Sequence, residues 1–387
     1  MSGKPVISIQ PVLMIFLAVS LSCDSSEESQ DQSQETSLYS IHPTAVISAD
    51  EFDSLYTLGA VSDVDHLSGG NIAVLDRLSA SAYIFSSSGE FLARAGRRGS
   101  GPGEFNSPDA IVPLSSDSML IFDRTIRRIS VYSENGTHIH DIPENFEFPV
   151  PYWSKYNGPD RYVGGIMYMN GNSEGYEIEY SICSFGNDLC PVDTFFTNKA
   201  QMIPDDITNT IQNSIFSCAF TCDSEGNVFV APVSAEKYII QGYNSQGECF
   251  LTIERGITPV RKTEEELARE TERFNSMFSA RNSGAPGNYS PGEFRYMIPP
   301  QGLHADNLGR LWVLHGTSGE SLFDVYDYSG KLLFTVRIMG IDPEEIIDLL
   351  WWSVSEHGLL AFSLDPVNVP KVYVFEFPDP ENSAMEI

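Results

Sequence analysis

Arginines crowd into one stretch of this sequence: Arg97 and Arg98, then Arg124, Arg127 and Arg128. Guanidinium groups grip carboxylate, sulfate or phosphate through paired N–H donors. Brought together, these five would make an anion site on a chain whose formal net charge is −30. The same arginines have acids nearby, Asp76, Glu104 and Asp123, with which they could instead brace turns. Aromatic residues form a second set. Trp153, with Tyr152 beside it, and the pair Trp351 and Trp352 follow connecting segments. Such rings suit a sugar or a peptide, or they pack between neighbouring sheets. His315 follows an apolar run and could, with Asp365, offer ligands to a divalent ion. His66, His304 and His357 each precede a hairpin, so turn and surface roles on the opposite face are expected of them.

Motifs with a fixed catalytic mechanism are missing. The sequence has no Gly-x-Ser-x-Gly, no His-Glu-x-x-His and no Walker loop. Gly99-Ser-Gly-Pro-Gly103 is glycine-rich but opens no recognisable helix, which gives phosphate cradling little support. No Cys-x-x-Cys occurs, so no zinc template fits. Cys183 and Cys190 flank the turn of an apparent hairpin, where a cross-strand disulfide is expected. Cys218 and Cys222 in an extended strand would stand about 13 Å apart, beyond bonding reach.

The elements that must position these residues repeat. A turn rich in Gly, Ser or Asn leads into a short apolar strand six times, at 68–76, 115–123, 158–166, 223–231, 306–314 and 355–363. Beside it runs a second pattern of strand, Gly turn and strand, as in AYIFSSSGEFLARAG (82–96) and FDVYDYSGKLLFTVRIMG (323–340). Together they describe one four-stranded antiparallel unit, repeated at the period of a β-propeller. The expected fold is all-β: a six-bladed propeller of four-stranded blades. The last unit has only three strands from the C-terminus, and 53–59 (DSLYTLG) is expected to supply the fourth and close the ring. In blade three, 168–176 reads as a long hairpin loop. Residues 261–282 carry Leu267, Phe274, Met277 and Phe278 near helical spacing, which predicts one amphipathic helix within an insertion, 257–300, before blade five.

Three segments carry a family resemblance: Gly96-Arg-Arg-Gly-Ser-Gly-Pro-Gly-Glu-Phe105, Asp123-Arg-Thr-Ile-Arg-Arg-Ile129 and Leu303-His-Ala-Asp-Asn-Leu-Gly-Arg-Leu-Trp-Val313. Through them the chain resembles the bacterial six-bladed β-propeller lipoproteins, related to NHL-repeat propellers, over about residues 45–378. The resemblance implies the fold and leaves activity open, since fold does not fix function.

The N-terminus reads as an address. Lys4 precedes an apolar run, Val12 to Val19, too short to span a bilayer as a mature helix. The run ends in Ser20-Leu21-Ser22-Cys23, which resembles a lipoprotein lipobox with Leu two residues before the Cys rather than three. Residues 1–23 are thus expected to be a lipoprotein-type signal peptide with Cys23 as the lipidation site; cleavage without lipidation stays open. Residues 24–44 are acidic and Ser/Gln-rich at their start and read as a disordered tether reaching roughly 20–25 Å. The propeller then spans 45–378, and 379–387 is a tail. The expected location is the bacterial cell envelope, on a lipid anchor.

The acidic balance makes nucleic acid a poor partner. Propeller ligands bind most often at one end of the central channel, at the face built by the loops between blades and between second and third strands. The leading expectation is a monomeric binding module taking an anionic small molecule, glycan, peptide or envelope protein there, without a cofactor. The alternatives are a metal-dependent hydrolase or lyase with a channel site, needing a divalent metal, and a structural scaffold in an envelope complex.

Overall fold

The computed structural model describes residues 37–48, 56–114, 116–143, 152–156, 161–172, 175–186, 190–202, 207–281, 289–341, 350–363 and 369–378. The signal-type segment with Cys23, most of the tether, and the tail lie outside them. Two short strands come first, β1 (Leu38–Ile41) and β2 (Ala45–Ser48). Blade one is β3 (Val61–His66), β4 (Ile72–Asp76), β5 (Ser81–Phe85) and β6 (Phe91–Ala95). Blade two is β7 (Ala110–Leu114), β8 (Ser118–Asp123), β9 (Arg128–Ser133) and β10 (His138–Pro143). Blade three is β11 (Tyr152–Tyr156), β12 (Tyr162–Asn172), β13 (Gly175–Phe185) and β14 (Pro191–Gln201). After helix α1 (Ile207–Ile215), blade four is β15 (Cys218–Cys222), β16 (Val228–Pro232), β17 (Tyr238–Tyr243) and β18 (Cys249–Arg255). Helix α2 (Glu264–Arg281) follows. Blade five is then β19 (Leu303–Ala305), β20 (Arg310–Leu314), β21 (Leu322–Asp327) and β22 (Leu332–Ile338). The last strands are β23 (Leu350–Ser355), β24 (Gly358–Ser363) and β25 (Lys371–Phe375).

The strands from inner to outer edge of each blade pair antiparallel, with one parallel addition described below, and the six innermost strands touch in a closed ring, β3–β7–β11–β15–β19–β23 and back to β3. The fold is a six-bladed propeller. Its second and third strands are buried along both faces, as β4, β5 and β24 show. That burial explains why they read as near-continuous apolar runs. Apolar clusters fill the seams between blades: Ile72, Val74 and Phe85 pack against Leu360 and Phe362 where blade six meets blade one, and Phe229 and Ile240 against Leu311 and Val313 between four and five. Each fully buried aliphatic or Phe side chain stabilises the seam by about 1.5–3 kcal/mol.

The ring is closed by an N-terminal strand, but a different one from that expected. Strand β2 pairs antiparallel with β25, Ala45 opposite Val374 and Ser48 opposite Lys371. The described part of 53–59 is not a strand. Its amides at Gly59, and at Ala60 beyond, donate to Asp76 Oδ2 at 2.6 Å each, and the Tyr56 ring sits edge-on to Phe85 at 5.0 Å. A backbone whose donors go to a carboxylate has none left for a ladder. The tether also ends earlier than 44, because β1 pairs in parallel with β22, Leu38 opposite Thr335, as a fifth strand of blade five.

Blade three departs from the expected loop as well. Residues 168–172 and 175–176 continue β12 and β13 as paired strand, Met167 opposite Tyr180 and Asn172 opposite Gly175. Strand β11 reaches only to the Tyr152–Gly165 pair, so the hairpin runs on from Ile166 to Asn172 past the end of the ring where the inner strands begin. We call this end the mouth. Helix α1, not foreseen, leads into β15 at the mouth and packs on β13 and β14. The insertion returns to β19 at the same end. Helix α2 opens with a capping box: Thr263 Oγ1 accepts from the Glu266 amide at 3.2 Å, and the Glu266 carboxylate accepts from the Thr263 amide at 2.7 Å. The side chains of Phe274, Met277 and Phe278 lie outside the described residues. Among the described residues no helix is long and apolar enough to cross a membrane.

Candidate functional site

The inner strands carry a few polar side chains in an otherwise apolar ring, and these gather at one place. A channel pocket of about 70 Å³ is lined by Asp63, Asp65, Lys155, Gln301, His304 and Ser353. Its apolar wall includes Ile111, Phe216, Phe220 and Trp351. At about 10–15 Å³ per water, that is room for several waters or one small ligand. Phe216 and Gln301 stand just before their inner strands, which places the pocket toward the mouth.

The two carboxyls differ in what they leave open. A register shift in β3 lies between Val61 and Asp63. Asp63 Oδ1 accepts from the Val64 amide at 2.9 Å and Oδ2 from the Ile111 amide of blade two at 2.8 Å, so both oxygens are engaged. Burial pushes Asp63 up to about 7, with the nearby Asp65 adding to it and the Ile111 amide and Lys155 opposing. Asp65 Oδ1 accepts from the His66 amide at 2.9 Å and the Ser353 hydroxyl at 2.7 Å. Its Oδ2 accepts from none of the described residues, and Asp65 is part of the pocket lining. Burial raises Asp65 too, against the pull of Lys155 and Ser353.

Lys155 comes from β11. Its charge acts on Asp63, Asp65 and His304. Among the described residues, however, its ammonium has no carboxylate within 4.0 Å and no hydrogen bond. His304 sits at the start of β19, 4% exposed. Its Nε2 lies 2.8 Å from the Gln301 carbonyl, which can only accept, so Nε2 carries the proton and Nδ1 is left as an enclosed acceptor without a partner among the described residues. Burial, then Lys155, pushes His304 down to about 3 and keeps it neutral. The pocket therefore offers an ammonium and a carboxyl oxygen without partners among the described residues, and an aromatic wall. None of Asp63, Asp65, Lys155 or His304 was singled out from the sequence as a binding residue. His304 was placed on the opposite face because it precedes a hairpin, but β19 is only three residues long and His304 stays near the mouth. His66, at the far end of β3, does lie near the hairpin turn, buried against Ser355.

The five arginines lie elsewhere. Arg97 pairs with Glu104 at 2.8 Å, and Arg98 donates to the carbonyls of Leu78 at 2.8 Å and Asn106 at 3.0 Å. Arg124 pairs with Asp109, and Arg128 donates to the carbonyls of Ser100 and Glu104. Arg127 occupies a turn with φ +53°. These contacts brace the connection between blades one and two, and none of the five lines the channel pocket. Trp351 does line it, edge-on to Phe216 at 6.4 Å. Trp352 also borders it, but its ring packs on Phe323 and Phe375 in the seam between blades five and six. The Trp153 side chain lies outside the described residues, as does Asp365. His315 does not reach the pocket; its Nε2 is 2.7 Å from the buried Asp324, which also pairs with Arg255 of blade four. Among the described residues no three His, Cys, Asp or Glu side chains stand together as a metal cluster.

The expected disulfide is not formed. Cys183 is a reduced thiol opposite Thr194 in the β13–β14 register, 3.5 Å from its Oγ1, while Cys190 falls in the turn before β14. Cys190 stands opposite Gly186, whose amide donates to its carbonyl at 3.2 Å, and so lies nearer the turn than any partner of Cys183.

The sequence matches the profile of a family described as a six-bladed beta-propeller over residues 30–149. No curated protein matches it significantly. Solved structures similar to it include a Bacteroides fragilis protein named as exported, at 11% identity over 88% of this chain and 100% of that one, with a TM-score of 0.44. Another is regucalcin, a calcium-binding protein from Agrobacterium tumefaciens, at 10% identity over 87% and 95%, TM-score 0.42. A third is a streptogramin B lyase, at 10% identity over 84% and 97%, TM-score 0.39. At these levels no residue role passes from those proteins to this one. Fold and family profile agree on the class: a six-bladed β-propeller.

Proposed function

We propose that this protein is an exported, lipid-anchored binding module that holds a small ligand at the mouth of its propeller channel. The observation that supports this reading most is the Lys155 ammonium, inside the channel and without an ion pair among the described residues. Lys155 is half-buried in the pocket wall, and a charge there without a protein partner among the described residues is available to a ligand of opposite sign. The mouth is also where this chain adds structure to the basic propeller. The blade-three hairpin, α1 and the insertion all lie there, and the insertion ends in the Pro300 and Gln301 wall of the pocket. That end is fastened by the Met297 amide to the Ser234 carbonyl at 2.8 Å, so Gln301 is held by blades four and five.

A thermal-shift screen of small metabolites on the wild type, Lys155→Met and Arg97→Ala tests the reading. A ligand bound only by the native state raises the melting temperature. The expected hit loses its shift in Lys155→Met and keeps it in Arg97→Ala. A hit that depends on Arg97 and ignores Lys155 would move the site to the connection between blades one and two.

A further inference from the structure

Resting on the channel reading above, we infer that the ligand is a small carboxylate with an aromatic or branched apolar body, its head held between the Lys155 ammonium and a proton on Asp65 Oδ2. The partner pattern of Asp65 places that proton. Asp65 lines the pocket, and its Oδ1 already accepts two hydrogen bonds, from the His66 amide and the Ser353 hydroxyl, so a proton on the carboxyl belongs on Oδ2. The acid is then a donor, and with Lys155 it makes a two-donor cradle for the two oxygens of a carboxylate.

The groups facing Asp65 weigh on both sides. Burial, Glu356 and the nearby Asp63 favour the protonated acid, while Lys155, Ser353 and the His66 amide favour the anion. His66 and His304 are neutral, and the buried thiol of Cys222 is held protonated by burial. A cationic head would have to sit against an ammonium that, among the described residues, no carboxylate within 4.0 Å neutralises. A carboxylate meets that charge, and its body meets Phe216, Phe220 and Trp351.

The test is calorimetry on the full chain with one body and three heads: phenylacetate, phenylacetamide and phenethylamine. Phenylacetate is expected to bind about tenfold or more tighter than either of the others, as a charge-assisted hydrogen bond requires. Lys155→Met should lose that margin and Lys155→Arg should recover part of it. Binding should weaken as pH rises and the proton on Asp65 becomes harder to hold, and Asp65→Asn should flatten that dependence. Preference for phenethylamine, still sensitive to Lys155 and Asp65 variants, would overturn the carboxylate while leaving the channel site standing. No binding by any of the three, or binding that ignores Lys155→Met, would overturn both.

Discussion

Ser353 donates its hydroxyl to Asp65 Oδ1 at 2.7 Å, joining the inner strands of blade six and blade one where the last blade meets the first. The bond ties ring closure to the pocket, because both residues line it. Ser353→Ala removes one buried hydrogen bond and should lower stability by about 1 kcal/mol in urea unfolding. A variant as stable as the wild type would show that the seam does not depend on this contact.

Asp123 accepts four backbone N–H groups: Asn106 at 2.6 Å and Ser107 at 2.9 Å on Oδ2, Thr125 at 3.0 Å and Ile126 at 3.3 Å on Oδ1. Asp76 does the same one blade earlier, holding Gly59, Ala60 and Ser79. Each clamps the chain entering its blade onto the turn between second and third strands. Asp123→Ala leaves several enclosed donors without acceptors and should cost about 3 kcal/mol or more. A loss under about 1 kcal/mol would mean that water replaces the clamp.

The buried carboxyl and imidazoles of the inner strands should leave opposite marks on the pH dependence of stability. Asp63 in the folded protein is raised to about 7 from 3.8. Between those values the folded state holds more protons than the unfolded one, so its contribution is lost as pH rises through that window. His66 and His304 are lowered to about 3 from 6.5, so theirs is full above 6.5 and lost as pH falls toward 3. The stability difference between wild type and Asp63→Asn should therefore change between about pH 4 and 7 and level off above. His304→Gln should flatten the acid limb below about pH 6.5. Parallel profiles for wild type and either variant would contradict the assignment.

Anchoring is tested at Cys23. In cells, Cys23→Ala should abolish incorporation of labelled fatty acid and move the protein to the soluble fraction. Unchanged membrane association would mean that the sequence Ser20-Leu21-Ser22-Cys23 is only a cleavage site or less.

The blades were legible because each repeats a turn and two apolar strands, a signal carried by neighbouring residues. The closing strand was not. Val46 and Ile47 of β2 are a short apolar run without a turn signature, and only the ladder with β25 selects them over 53–59. The channel site was obscure for a related reason. Asp65, Lys155, His304 and Ser353 are single polar residues in four different blades, separated by long stretches of sequence and joined only by the ring. Their signal was a charged or imidazole side chain inside an inner strand, VSDVDH, YWSKY or LHA, and it appears once the repeats are aligned on their first strands. The arginines drew attention by clustering in sequence, yet local clustering also suits bracing, and their guanidinium groups turn to nearby carbonyls and carboxylates.

The central claim concerns Lys155, and competitive acetylation of the chain's lysines, read by mass spectrometry with and without phenylacetate, tests it most directly. Lys155 should lose reactivity when the ligand is present, while the exposed Lys237 and Lys331 keep theirs. Bound ligand with Lys155 as reactive as before would contradict a site in the channel.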